Sequence, residues 1–435
     1  MLRKRIQLGL IHVALTITLL PINSTLNRIM ITELALSATL VAILASLPYL
    51  FSPIQVAIGS FSDNRPIFGF RRTPYIIFGL AFCVVGVIAA PYIAFLLADN
   101  FVMGIVLGVL AFGAWGMGYN FATVAYFSLA TELSGEEGRG RTIATMFTMM
   151  IISIIITSIA LGRLLDPYSP EALISSFRMI GFVALAFGLI GVFRLESRSG
   201  GANQITEQRF SWNQLYREVL DNRQAMLFFR YLILMLVAIL GQDILLEPFG
   251  AEAFGLSVAE TTRITSIWGV FFLVTLILGG MLEKRISKLS QARIGAWSGM
   301  LAFLLIIYSG ISGNLSVFYA GVITLGLATG LATVSNLSLM LDMTTAGKVG
   351  MFMGVWGMAN AFSRLTGNLL GGLLRDVISA LASNPVIGYS AVFAIEMLIL
   401  AVSLVLLRSI DVSGFQKKAK QDKGYLERAA IASDS

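Results

Sequence analysis

Charged residues are scarce in this sequence: 13% of its 435 residues are Asp, Glu, Lys or Arg, whereas soluble domains carry about 25%. With 57% hydrophobic residues and a mean hydropathy of +0.82, a water-soluble fold of this size would have a largely apolar surface, which excludes that class. Cysteine is nearly missing. Cys83 stands alone, so neither an intramolecular disulfide nor a thiolate metal cluster can form. His12 is the single histidine, which excludes His-rich metal sites and the usual Ser/His or Cys/His catalytic pairs. A Gly-rich phosphate loop ending in Lys and Ser or Thr is also missing, which argues against an ATP site, and no nucleophile–base cluster marks an enzyme.

What the chain has instead is apolar runs about 20 residues long, the length that spans a bilayer as a helix. They predict helices near 8–30, 36–58, 74–97, 102–131, 142–163, 177–194, 228–250, 263–283, 292–312, 315–341, 350–374 and 387–408. The runs are too long for barrel strands and lack their alternation. The basic start followed by an apolar stretch resembles a signal peptide. The stretch continues through Pro21 without a small-residue cleavage site, however, and reads as an uncleaved first helix.

The net charge of +7 does not point to nucleic acid, because the basic residues are sorted by side. Of 31 Lys and Arg, 24 fall at the termini and in alternate loops on one side, while only 5 fall on the other. Positive charge marks the cytoplasmic side, so both termini are expected there. The chain divides into a six-helix half at 1–194, a linker at 195–227, a second half at 228–408 and a basic cytoplasmic tail at 409–435. In the linker Phe210, Trp212, Leu215, Tyr216, Val219 and Leu220 fall mostly at helical spacing between charges. This reads as an amphipathic helix on the inner leaflet, with a partner-binding helix as the alternative.

The two halves echo each other. Gly59 and Asp63, ahead of Arg71 and Arg72, match Gly279 and Glu283, ahead of Lys284 and Arg285, at one offset of 220 residues. Glycine permits close helix approach, the acid can cap a helix or pair with arginine, and the basic residues face anionic headgroups. A second echo, Thr131-Glu132-Leu133 with Leu341-Asp342-Met343, has an offset of 210. Repeats of this kind build transporter folds. The loop pattern resembles the cytoplasmic motif of the major facilitator superfamily, about three residues longer in its first copy than is usual there.

Polar residues inside spans are expensive and mark sites. Helix one carries Asn23, Asn27 and Arg28, with Glu33 beyond; helix seven carries Gln242, Asp243 and Glu247, and the 220 offset sets Asn23 on Asp243 and Asn27 on Glu247. Arg28 is therefore expected to neutralise Asp243 or Glu247 in a cavity, or as a structural ion pair at the outer side. Asn360, Arg364 and Asn368 share one face of helix eleven near mid-membrane, and Arg364 reads as cavity-lining. His12 is a possible axial ligand for the metal of a pigment macrocycle, although a lone helical histidine more often bonds a neighbour.

Several segments together carry a family resemblance. They are Leu26-Asn27-Arg28 with Glu33, Ser62-Asp63 through Arg71-Arg72-Thr73-Pro74-Tyr75, Gly138 to Arg141, Gln242-Asp243 through Leu246-Glu247-Pro248-Phe249-Gly250, Thr261-Thr262 with Thr265 and Trp268, and Gly354 to Gly357 with Arg375-Asp376. From about residue 7 to 408 the chain resembles the PucC/LhaA family, the bacteriochlorophyll-delivery branch of the major facilitator superfamily. The resemblance implies an all-α membrane protein of about twelve transmembrane helices in two pseudo-symmetric halves. It implies help in assembling light-harvesting complexes, with chlorophyll or bacteriochlorophyll as cargo. It also implies antenna polypeptides or pigment-synthesis enzymes as partners and a thylakoid or cell inner membrane as location. Phe249 stands where Tyr is usual, and Arg364 and His12 lie outside the pattern. A proton-coupled transporter of a small solute and a non-transporting scaffold stay open as alternatives.

Overall fold

The computed structural model describes residues 1–55, 58, 61–62, 65–198, 223–282, 285–342 and 349–411. Gly59, Asp63, Glu283 and Lys284 lie outside the described residues, as do the amphipathic stretch of the linker and the basic tail from 412.

Twelve helical spans run back and forth. In the first half α1 is Leu2–Pro21 with π-helical turns at Ile22–Leu26 and Ile29–Glu33, and α2 is Ala38–Ala45 with short turns at Leu47–Leu50 and Ser52–Ile54. Then come α3 Thr73–Asp99, α4 Phe101–Gly135, α5 Gly140–Leu164 and α6 Pro170–Val192. In the second half α7 is Arg223–Gly241, a 3₁₀ turn at Gln242–Ile244 and a helical end at Leu246–Phe254. It is followed by α8 Val258–Leu282, α9 Lys288–Ser312, α10 Leu315–Asp342, α11 Val349–Ala382 and α12 Pro385–Arg408. Ten of the spans are long and apolar enough to cross a membrane by composition alone. The other two are α2, which is interrupted, and α11, whose apolar content is diluted by Asn360, Arg364 and Asn368. An even number of spans brings the start of α1 and the end of α12 to one face, here called the termini face; the opposite one is the far face.

Two helices and one loop differ from their expected form. The predicted continuous helix 36–58 breaks because Pro48 and Pro53, each in the first turn of a short segment, lack the N–H that would continue the ladder. The predicted helix 228–250 breaks at Gln242. The loop expected between α4 and α5 is almost wholly helical, with the chain turning at Gly135, whose φ of +62° suits glycine. The breaks in α1 and α7 begin at Ile22 and Gln242, positions 220 residues apart. The internal repeat therefore extends to the irregular backbone.

Lipid-facing side chains such as Phe82, Val85, Val106, Leu110 and Val405 are exposed, as expected for a bundle in hydrocarbon. Inside, close crossings depend on small residues. At the α7–α11 crossing a methyl on Gly367 would stand 2.7 Å from the Gly241 Cα, so these positions admit no larger residue without a shift.

Candidate functional site

The second halves of α1 and α7, with α2, α8 and α11, gather the polar groups into two layers. The upper layer closes the far face between the halves. Glu247 Oε1 accepts from the Ser24 hydroxyl of α1 and from Thr265 Oγ1 at 2.6 Å, and Thr25 and Thr262 hydroxyls meet at 3.1 Å. Asp376 at the end of α11 accepts from the backbone N–H of Ala38 (3.1 Å) and of Thr39 (2.8 Å) and from the Thr39 hydroxyl (2.7 Å), capping α2 of the other half. Arg375 beside it makes a two-pronged bond to Glu252 at 2.8 and 3.0 Å and lies over the Tyr389 ring.

The lower layer sits near the middle of α11. Arg364 Nη1 pairs with Asp243 Oδ2 at 2.5 Å, and its guanidinium stands 5.8 Å from the Tyr49 ring centre. Tyr49 receives Asn23 Nδ2 at 3.5 Å, and Gln242 Nε2 donates to Asp243 Oδ1 at 2.9 Å. The chain Asn23–Tyr49–Arg364–Asp243–Gln242 thus crosses four helices and both halves. The arginine and aspartate side chains are 33% and 25% exposed, so a space open to a water-sized molecule lies against the pair. It can offer an anionic or cationic group one partner while keeping the other.

Arg28 forms no direct pair with Asp243 or Glu247 but the outer-side ion pair that was the other expectation, with its charge still near enough to act on Glu247. Arg28 pairs with Glu33 and donates to the Leu256 carbonyl at 3.1 Å; Asp243 belongs to Arg364, and Glu247 is bonded to hydroxyls. Arg28 and Glu33 are five residues apart, off one face in an α-helix. The intervening π-helical turn, with Leu34 N–H bonding Ile29 C=O at 3.0 Å, brings them together. Tyr168 in the α5–α6 turn faces this pair, and burial followed by the Glu33 carboxylate raises its phenol above the ordinary range.

The other expected residues are spread out. Asn27 Nδ2 bonds the Asn23 carbonyl at 2.9 Å, and Asn360 Nδ2 the Trp356 carbonyl at 2.9 Å, both within their own helices. Asn368 reaches across the halves to Ser46 Oγ at 3.2 Å. His12 is enclosed by Tyr126, Phe127 and Phe147, with ring centroids 5.3–5.9 Å away, so it packs α1 against α4 and α5 rather than bordering the Asp243–Arg364 space. Among the described residues no group of three His, Cys, Asp or Glu could hold a metal ion.

On the termini face the loop motif is completed by Glu196, which the sequence reading did not single out, and by Glu132 of the second echo. Glu196, after α6, accepts from the backbone N–H groups of Arg71 (2.7 Å), Arg72 (3.1 Å) and Thr73 (2.7 Å), capping α3. The Arg72 guanidinium bonds Glu132 at 2.8 and 3.1 Å and Ser62 Oγ at 2.9 Å. The second half repeats the arrangement with Lys288 and Asp342 at 2.8 Å. Gly279 admits α10 closely, a methyl there standing 2.6 Å from Val334, and Arg285 lies exposed in the turn after α8. Tyr49, Ser24 and Glu196 carry no local signal of their roles, whereas Glu396 could have been found as an acid in the middle of an apolar run.

Twelve helices in two related halves, with a polar layer between them, have the fold of the major facilitator superfamily. A bacterial homolog of the human lysosomal transporter Spinster, in an inward-facing and unoccupied conformation, shares the fold with a TM-score of 0.70 at 12% identity, over 96% of this chain and 98% of that one. The family described as PUCC protein matches residues 25–415, and the chain belongs to that family. It is 30% identical to Protein PucC of Cereibacter sphaeroides over 94% of this chain and 93% of that protein. It is 28% identical to a protein of Rhodobacter capsulatus named Bacteriochlorophyll synthase 44.5 kDa chain, over 92% and 95% respectively.

Proposed function

We propose that this chain is a non-enzymatic assembly factor for light-harvesting complexes that hands chlorophyll or bacteriochlorophyll to antenna polypeptides. It acts in a photosynthetic membrane, thylakoid or cell inner, with both termini cytoplasmic. The observation that carries the reading is the partly exposed Asp243–Arg364 pair where α7 meets α11. Such a site suits an amphiphilic cargo: apolar walls take the bulk of the molecule, and one fixed ion pair orients its polar edge. Family membership and the naming of a relative for bacteriochlorophyll point the same way. His12 is shut away from this space, so a magnesium ligand supplied by the protein would be an Asn, Gln or carboxylate, or else a water.

A second reading, proton-coupled transport of a small solute, draws on Glu247, a carboxylate shared between the halves at the closed far face. Purification from a pigment-producing host in mild detergent separates the readings. Chlorophyll absorbance that follows the protein and falls in Arg364→Gln supports pigment delivery. A colourless protein with substrate-dependent proton uptake supports the second. Antenna subunits without pigment would show a scaffold.

A further inference from the structure

Glu396 lies near the middle of α12 and belongs to neither polar layer. It is 4% exposed, and among the described residues no donor reaches its Oε2. Its position is confined. A methyl on Gly241, the last α-helical residue before the break in α7, would stand 2.7 Å from Glu396 Oε1 and 3.2 Å from the Gly367 Cα of α11. The carboxyl is therefore wedged where α7, α11 and α12 meet.

Among the described residues the charged surroundings offer it no counter-ion. From α7 the group facing it is Asp243, another acid, and the Arg364 of α11 is already engaged by Asp243. On the helical end of α7, Glu247 is bonded to Ser24 and Thr265, and Glu252 to Arg375 and Tyr389. Toward α9 the neighbouring layers are apolar: Phe393 stacks on Phe303 and Leu400 packs at Gly299. Lys288 and Arg293 stand at the termini end of α9, and Tyr308 near its far end. An unpaired carboxylate in such a site costs several kcal/mol, whereas the neutral acid needs only hydrogen bonds.

We infer that Glu396 is a proton-binding site, occupied while α7, α11 and α12 are packed as here and emptied only when the crossing at Gly241 and Gly367 loosens enough to admit water. The ligand is a single proton, held on one carboxyl oxygen and released to water entering from the Asp243–Arg364 space. The site works whatever the cargo. It joins a protonation event to the break in α7, which also carries Asp243.

Two measurements test this on the full chain in mild detergent. Infrared absorption spectra at neutral pH should show the carbonyl band of a protonated carboxyl, and Glu396→Gln should remove that component. A hydrophobic carbodiimide, which attacks protonated carboxyls in apolar surroundings, should modify Glu396 of the unaltered protein at neutral pH. Peptide mass spectrometry would locate the adduct, with labelling at least several-fold above that of the exposed acid Glu171. Carbonyl bands identical in the unaltered protein and Glu396→Gln would overturn the proposal. So would labelling of Glu396 no stronger than of Glu171, a result that needs no variant to fold.

Discussion

The Arg364–Asp243 pair offers the sharpest test of the lower layer. Arg364→Gln and Asp243→Asn each remove one charge with little change in volume, leaving the other charge without its partner. In a fully buried pair that loss is about 3–5 kcal/mol, and in an exposed one about 0.2–1 kcal/mol. With side chains 33% and 25% exposed, an intermediate cost of roughly 2 kcal/mol per single replacement is expected. The double replacement leaves two neutral amides able to bond each other, so it should recover a coupling energy of roughly 1–2 kcal/mol. The assay is thermal unfolding of all four proteins in one mild detergent, together with antenna yield in cells. Arg28→Ala combined with Asp243→Asn serves as a control and should be additive, because Arg28 is held by Glu33 and the Leu256 carbonyl. Additivity for Arg364 with Asp243, or coupling for Arg28 with Asp243, would refute the assignment of partners.

Replacing Thr25 and Thr262 by cysteine should give a disulfide on mild oxidation, since their hydroxyls are 3.1 Å apart and the native Cys83 is buried; an absent cross-link by mass spectrometry would mean the far face is not closed as described. Glu196→Ala removes the acceptor for three N–H groups at the start of α3 and should lower stability by about 1–2 kcal/mol in the same melting assay, while Glu196→Asp should lose less. A membrane-impermeant thiol reagent should reach cysteines placed at 200–220 or after 412 from the cytoplasmic side alone. Labelling from the other side would reverse the orientation argued from the distribution of Lys and Arg.

The spans and the two-half plan were legible because a bilayer imposes its length on every apolar run, and because the repeat holds one offset over loops and helices alike. Arg364 stood out for a related reason: a cation among apolar residues needs compensation. Its partner did not stand out. Asp243 meets it only because Gly241 and Gly367 let α7 and α11 touch, a contact between positions 126 residues apart that no local spacing encodes. That Arg28 would find Glu33 was not legible, since spacing arguments assume 3.6 residues per turn and the π-helical turn brings Glu33 round. Glu196 was read as part of a polar linker, yet it acts as the cap of a helix more than a hundred residues earlier.

The cap that Asp376 places on α2 has a further consequence. Two backbone N–H groups and a hydroxyl of one half have their acceptor in the other half, and Glu247 ties two hydroxyls in the same seam. When the halves separate there, these groups lose their partners together, and lipid tails offer none in return. The far face can therefore part only as fast as water follows it. A polar seam of this kind makes hydration the condition for opening, and it closes that end of the bundle to any exit leading directly into hydrocarbon.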